Sequence, residues 1–130
     1  MKILYSYTMS RPFNGYNIPI AIQSTAIRDY ARKNDFKFSL PVTEITKTDC
    51  FLMLDHMFKA HGNNIKDLGV VSGFVLPVLD KKIFNKIFKN NKINKKLKIH
   101  LILENKIFSV QKLIQWSDDI VLKNKFIQTY

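Results

Sequence analysis

Apolar residues follow two rhythms along this chain. In "KILYSYTM" (2–9), "LGVVSGFVLP" (68–77) and "KIHLILE" (98–104) they run almost without interruption, as in strands covered on both faces. "FKFSLPVTEI" (36–45) predicts a further strand, in which Pro41 marks an edge or a break. Between these segments the apolar period lengthens to that of a helix. Ile20, Ile27 and Ala31, with Ala26 and Tyr30 beside them, form one stripe over 19–33, and Pro19 falls in the first turn, where a missing N–H is harmless. A second helix is predicted over "CFLMLDHMFKAH" (50–61), with Thr48 or Asp49 as its cap and Gly62 as its end. A third covers roughly 79–91. "NKIFSV" reads as a possible short hairpin, Ser109 as the cap of a last helix through Trp116, and 118–130 is left open in type.

Strand and helix therefore alternate, which predicts a single α/β domain over residues 1–130. Its expected form is a mainly parallel sheet of four or five strands with helices on both faces, a flavodoxin-like three-layer arrangement with right-handed crossovers. In such sheets, ligands gather outside the carboxyl ends of the strands. That rule selects "SRPFNG" (10–15), "TEI" (43–45), "SGFVLP" (72–77) and "LEN" (103–105) as places to look for function.

The first of these segments has the richest chemistry. Ser10 and Arg11 follow the strand directly, Asn14-Gly15 is a turn pair tolerant of positive φ, and a helix N-terminus comes next. A hydroxyl, a guanidinium and free N–H groups suit a phosphate or carboxylate; the same residues also suit a purely structural connector. Glu44, at the end of the second strand, is a candidate base or hydroxyl ligand. Glu104 reads as a solvated turn residue. Gln23 should point inward or toward the loop, and Ser72 joins the candidates from the third strand end. Cys50 lies near a helix N-terminus, a setting that activates thiols, although a small buried residue is the commoner role. Arg28 and Arg32, one turn apart, fall on the outer face of the first helix. Walker and Rossmann glycine patterns are absent, no nucleophile elbow surrounds Ser10, and three scattered histidines with one cysteine predict no metal site. No cofactor is implied.

Charge changes this picture less than its size suggests. The formal net charge is +11, yet 18 of the cations are lysines and only three are arginines, whose planar fork reads phosphate best. Eight lysines lie between Lys81 and Lys98, on faces that Ile83, Phe84, Ile87 and Phe88 leave free. They read as a solvated helix face, so nucleic acid is not an expected partner. No apolar run reaches the length of a membrane span, and the chain enters its first strand with no signal-peptide pattern. With a single cysteine besides, the expected location is the cytoplasm.

Two resemblances add to this reading. "MSRPFNG" (9–15), "IQ" with "IRDYARKN" (22–34), "TE" (43–44), "CFLML" (50–54) and "FVLP" (74–77) resemble the sporadic carbohydrate cluster protein family, found among genes for surface polysaccharides and unusual sugars. That resemblance singles out Ser10, Arg11, Phe13, Asn14, Gly15, Gln23, Arg28, Glu44 and Cys50. "QSTAIRDYARKN" (23–34), after a strand ending near Ser10, is more distantly similar to serine recombinase catalytic domains, which implies a resolvase-like fold. Thr8 and "GFVLPVLD" (73–80) stand where those domains carry arginines.

Taken together, these features predict a small protein of carbohydrate biosynthesis that binds, and processes, an anionic sugar, sugar phosphate or nucleotide sugar. Arg11 would hold the anion, Ser10 would assist proton transfer and Glu44 would act as base. Phe13, Asn14, Gly15, Gln23, Arg28, Cys50 and Ser72 would complete the site. One alternative is a non-catalytic partner of a sugar enzyme, with Phe13 and Tyr16 as exposed anchors. Another, less favoured, is a basic nucleic-acid-binding module. A homodimer is compatible with the apolar "FVLPVL" run.

Overall fold

A computed structural model describes residues 2–44 and 50–128. The elements follow as β1 (Lys2–Met9), α1 (Ile20–Lys33), β2 (Phe36–Phe38), β3 (Val42–Glu44), α2 (Leu52–His61), β4 (Asp67–Val70), a 3-10 turn (Gly73–Val75), α3 (Lys81–Phe88), β5 (Lys98–Leu101), β6 (Lys106–Ser109) and α4 (Val110–Gln128). They build the expected mixed α/β fold around a mostly parallel six-stranded sheet. Its order is β2-β1-β4-β5-β6, with β3 also on β1. β2 pairs with the first half of β1 and β3 with the second half, in the registers Lys2 to Phe36 and Tyr7 to Val42. The predicted 36–45 strand is thus one edge strand broken in two. The break falls at Leu40-Pro41, because proline has no N–H for the ladder. Only β6 runs antiparallel, as the return of the predicted hairpin from β5. Ile45 and the anticipated caps Thr48 and Asp49 lie outside the described residues.

The two faces of the sheet bury different amounts of apolar surface. α1 covers one face, packing Ile27 and Ala31 on Leu4. The larger core lies on the other face, where Leu54 and Phe58 of α2, Phe84, Ile87 and Phe88 of α3, and Leu113 of α4 meet Tyr7, Leu68, Val70 and Ile99. Phe84 and Phe88 stack at 4.7 Å, and Phe58 meets Phe88 at 5.4 Å, which joins α2 to α3. Each such side chain contributes about 1.5–3 kcal/mol on burial. A polar chain crosses the α1 side: the Tyr30 hydroxyl is 2.7 Å from His100 Nδ1, and His100 Nε2 is 2.9 Å from Asp67 Oδ1. Burial and the Asp67 charge push the Tyr30 phenol above its ordinary pKa. The neutral imidazole that donates Nε2–H to Asp67 accepts the phenol proton at Nδ1.

Several elements differ in extent from their sequence pattern, among them the strand predicted over 98–104, which ends at Leu101. The apolar run 68–77 is not one strand. After Val70 the chain leaves the ladder, and Val71 to Val78 are buried in a turn rather than in the sheet. Burial alone produces a continuous apolar run, so periodicity cannot separate the two cases. Helix α3 is shorter than predicted, because the Asp80 side chain accepts from the Lys82 and Ile83 amides at 3.1 and 3.2 Å and fixes its start. Helix α4 starts where Ser109 caps the Lys112 amide at 3.2 Å, and it continues past Trp116 to Gln128.

Candidate functional site

The carboxyl ends of β1, β3 and β4 meet where the strand order reverses, and the "SRPFNG" loop lies there. The Ser10 amide donates to the Glu44 carbonyl at 2.9 Å, tying the loop's start to β3. Phe13 and Tyr16 then exchange backbone hydrogen bonds of 3.0 and 2.8 Å around Asn14 and Gly15. Both central residues have positive φ, 47° and 80°, the requirement of a two-residue hairpin turn and the reason for an Asn-Gly pair. Phe13 is buried beneath this tip, not an exposed anchor, whereas Tyr16 is exposed. Gln23 points inward, as expected, but the protein itself uses its whole amide. Nε2 donates to the Met9 and Ile18 carbonyls at 2.7 and 2.8 Å, and Oε1 accepts from the Met9 amide at 3.3 Å. The side chain closes the loop rather than orienting a ligand.

Behind the loop lies a cluster of titratable groups. Glu44 is fully buried, and its Oε1 accepts from the Met53 and Leu54 amides of the first turn of α2 at 2.7 and 3.0 Å. A carboxylate thus fills the anion site that this helix N-terminus offers. The Cys50 thiol, half-buried, lies 3.9 Å from Glu44 Oε2. Tyr7 projects from β1 toward the same carboxylate. Its hydroxyl feels the Glu44 charge, yet it makes no hydrogen bond of good geometry among the described residues. Burial first, and Glu44 second, push this phenol far above its ordinary range, while the Arg11 charge pulls the other way. Glu44 is therefore buried and braces the start of α2.

The open space lies on the α2–α3 side of the loop. A cleft of about 190 Å³ is bounded by Arg11, Phe13 and Asn14 from the loop, Phe51 before α2, and Phe74, Leu76 and Asp80 from the segment after β4. The Arg11 guanidinium sits over the Phe51 ring, 4.7 Å from its centre. The far wall is held by Glu104. Its carboxylate accepts from Ser72 Oγ at 2.7 Å and from the Gly73 amide at 2.9 Å, while Ser72 Oγ accepts from the Phe74 amide at 3.2 Å. Glu104, expected as a solvated turn residue, lies in the β5–β6 turn but is half-buried with its carboxylate engaged, and Ser72 is fully buried with its hydroxyl engaged. Arg28 stands apart on the exposed face of α1, over the Phe38 ring at 5.2 Å, and takes no part in the cleft. The N-terminus of α1, also expected to hold an anion, contributes no residue to the wall.

Arg11, Phe13 and Asn14 thus line the cleft, with Gly15 in the turn beside them, while Ser10 is exposed just before Arg11 and does not line it. Gln23 and Glu44 stand behind it as supports, and Cys50 lies beyond Phe51. Sequence reading missed Tyr7, Phe51 and Asp80. Tyr7 looked like one more apolar strand residue and Asp80 like a surface charge. Phe51 carried the single available signal, as an aromatic flanking Cys50 at the mouth of a helix. Among the described residues no cluster of His, Cys, Asp and Glu could hold a metal ion, and no helix is long and apolar enough to cross a membrane.

Comparison with known proteins bears on the fold. Neither a protein-family model nor a curated protein matches the chain. The crystal structure of the N-terminal catalytic domain of TP901-1 integrase is similar over 96% of this chain and 97% of that one, with a TM-score of 0.59 and 15% sequence identity. The likeness is one of fold: a mostly parallel sheet with helices on both faces.

Proposed function

We propose that this protein binds a small anionic sugar in the Arg11 cleft and serves carbohydrate biosynthesis. The observation that carries the reading is Arg11 itself, a guanidinium held over Phe51 in the wall of a mostly apolar cleft at the carboxyl end of β1. A ring packs on Phe74, Leu76 and Phe51, its negative substituent meets Arg11, and Asn14 and Asp80 are placed for hydroxyl groups. A volume of about 190 Å³ is below the roughly 300–1,000 Å³ of pockets for drug-sized ligands, so the cleft takes a group the size of one monosaccharide. Ser10, exposed beside Arg11, is the group placed to pass a proton to a bound sugar. The pathway is supported by the resemblance of "MSRPFNG" and its companion motifs to the sporadic carbohydrate cluster proteins. The integrase-like fold would suggest phosphoryl transfer through Ser10, but that chemistry needs several guanidiniums around the phosphate. Only Arg11 reaches the cleft, while Arg28 and Arg32 lie exposed on α1.

The test is calorimetry with hexose phosphates and sugar acids. Replacing Arg11 by Ala removes a charge-assisted contact of about 1.5–3 kcal/mol and should weaken binding roughly 10- to 100-fold. A folded Arg11→Ala protein that binds as tightly as the parent would refute the assignment.

A further inference from the structure

We infer that the ligand is a nucleotide-linked sugar, whose nucleotide half occupies a second cavity on the other side of Phe51. This inference rests on the Arg11 reading and extends it. The second cavity, of about 270 Å³, is lined by Cys50, Phe51, Leu52, Asp55, Ile83, Lys86 and Ile87. Among the described residues, Phe51 is the one that lines both spaces. Both also follow α3 on the side facing α2: Asp80, at its cap, borders the first, and Ile83, Lys86 and Ile87, one and two turns on, border the second. The cleft and the cavity are successive compartments of one valley, with the Phe51 side chain as the partition. Each alone is smaller than the roughly 300–1,000 Å³ of a drug-sized pocket, and the two combined fall inside that range.

The chemistry of the second compartment selects what occupies it. Its walls are apolar and partly aromatic, from Phe51, Leu52, Ile83 and Ile87. Its one carboxylate, Asp55, is already engaged by Lys59 at 2.9 Å and by the Asn91 amide at 2.9 Å. Lys86, exposed at the rim, acts on the Asp55 carboxylate through its charge, with no ion pair at contact distance among the described residues. A flat ring against Phe51 and a negative group at Lys86 satisfy these walls, and base–aromatic stacking contributes about 1–3 kcal/mol. A monosaccharide joined to a flat base through phosphates has its sugar in the first compartment. Its phosphates pass Phe51 between Arg11 and Lys86, and its base lies in the second compartment.

Calorimetry with UDP-, GDP- and dTDP-hexoses beside the matching hexose 1-phosphates tests this, on the parent, Lys86→Gln and Phe51→Leu. At least one nucleotide sugar should bind about tenfold or more tighter than its hexose 1-phosphate. Lys86→Gln, a change at an exposed position, should lower that affinity about fivefold or more and leave the hexose 1-phosphate unaffected. Phe51→Leu should reduce the gain from the base. Hexose 1-phosphates binding as tightly as nucleotide sugars, with Lys86→Gln silent, would overturn the second subsite and leave the Arg11 cleft standing. Absence of binding by every probe would overturn the Arg11 reading and this inference together.

Discussion

A carboxylate removed from water has to be met by donors, and at Glu44 those donors are the Met53 and Leu54 amides. Helix α2 has no side-chain cap at Phe51, its own N-cap, so the acceptor comes from β3 instead. Glu44→Ala should therefore lower unfolding stability by about 2–3 kcal/mol, since two amides lose a charged partner. Glu44→Gln keeps one acceptor oxygen and should cost about half as much. Urea denaturation of the two variants decides the matter, and an alanine variant within about 0.5 kcal/mol of the parent would discard the bracing role. Gly62 makes a related point. The sequence suggests a helix-ending glycine, and the helix does end there, with a φ of −55°, an ordinary helical value. Glycine is needed there because an added Cβ would overlap the Lys92 and Phe58 carbonyl oxygens. A one-dimensional pattern marks the position, but the reason lies in a neighbouring segment thirty residues along the chain.

Among elements, the segment from Ser72 to Val78 shows how a wall is held without a ladder. It is buried apart from the half-buried Phe74, and at the start of the 3-10 turn its anchor is the Glu104 carboxylate in the β5–β6 turn. Glu104→Ala strands the Ser72 hydroxyl and the Gly73 amide, for an expected loss of about 1–3 kcal/mol each if water does not replace them. Amide exchange at Gly73 should accelerate with it. Because Phe74 and Leu76 form the cleft wall, ligand affinity should also fall, although Glu104 does not line the cleft. Unchanged exchange at Gly73 in the variant would show that the clamp holds nothing. Elements with a strict period were legible from the chain: α1, α2, β1 and β5, and the break at Pro41. The site was legible where the loop's own residues make it, at Arg11, Asn14 and Gly15. It was illegible where the determining contact is remote, as in Glu104 to Ser72, Glu44 to α2, or Tyr7 to the Glu44 cluster. The sequence places polar residues at strand ends, but it does not reveal whether such a group faces solvent or a helix terminus.

The net charge of +11 gains meaning only from where the compensating acids are. Glu44, Asp55, Asp67, Asp80, Glu104 and Asp118 are all engaged in internal hydrogen bonds or ion pairs. Lys82, Lys86, Lys89, Lys92, Lys95, Lys96 and Lys98 are exposed on α3 and the segment after it. Cations thus dominate the surface from α3 to the C-terminal end of α2, where Lys92 lies beside Gly62. Lysines of this kind need not touch the ligand to matter. Screening extends about 10 Å at 0.1 M salt and about 3 Å at 1 M, so exposed charges act over the valley's width at low salt only. Such a field changes encounter more than residence. Stopped-flow measurement on the tightest anionic ligand should show the association rate falling roughly tenfold between about 0.03 and 0.5 M salt, with dissociation nearly constant. Charge reversal at Lys92, Lys95 and Lys96, outside both compartments, should flatten that dependence and leave the dissociation rate unchanged. If salt instead acts on dissociation, or the triple variant associates as fast as the parent, the lysines serve solubility alone and Arg11 works without long-range help.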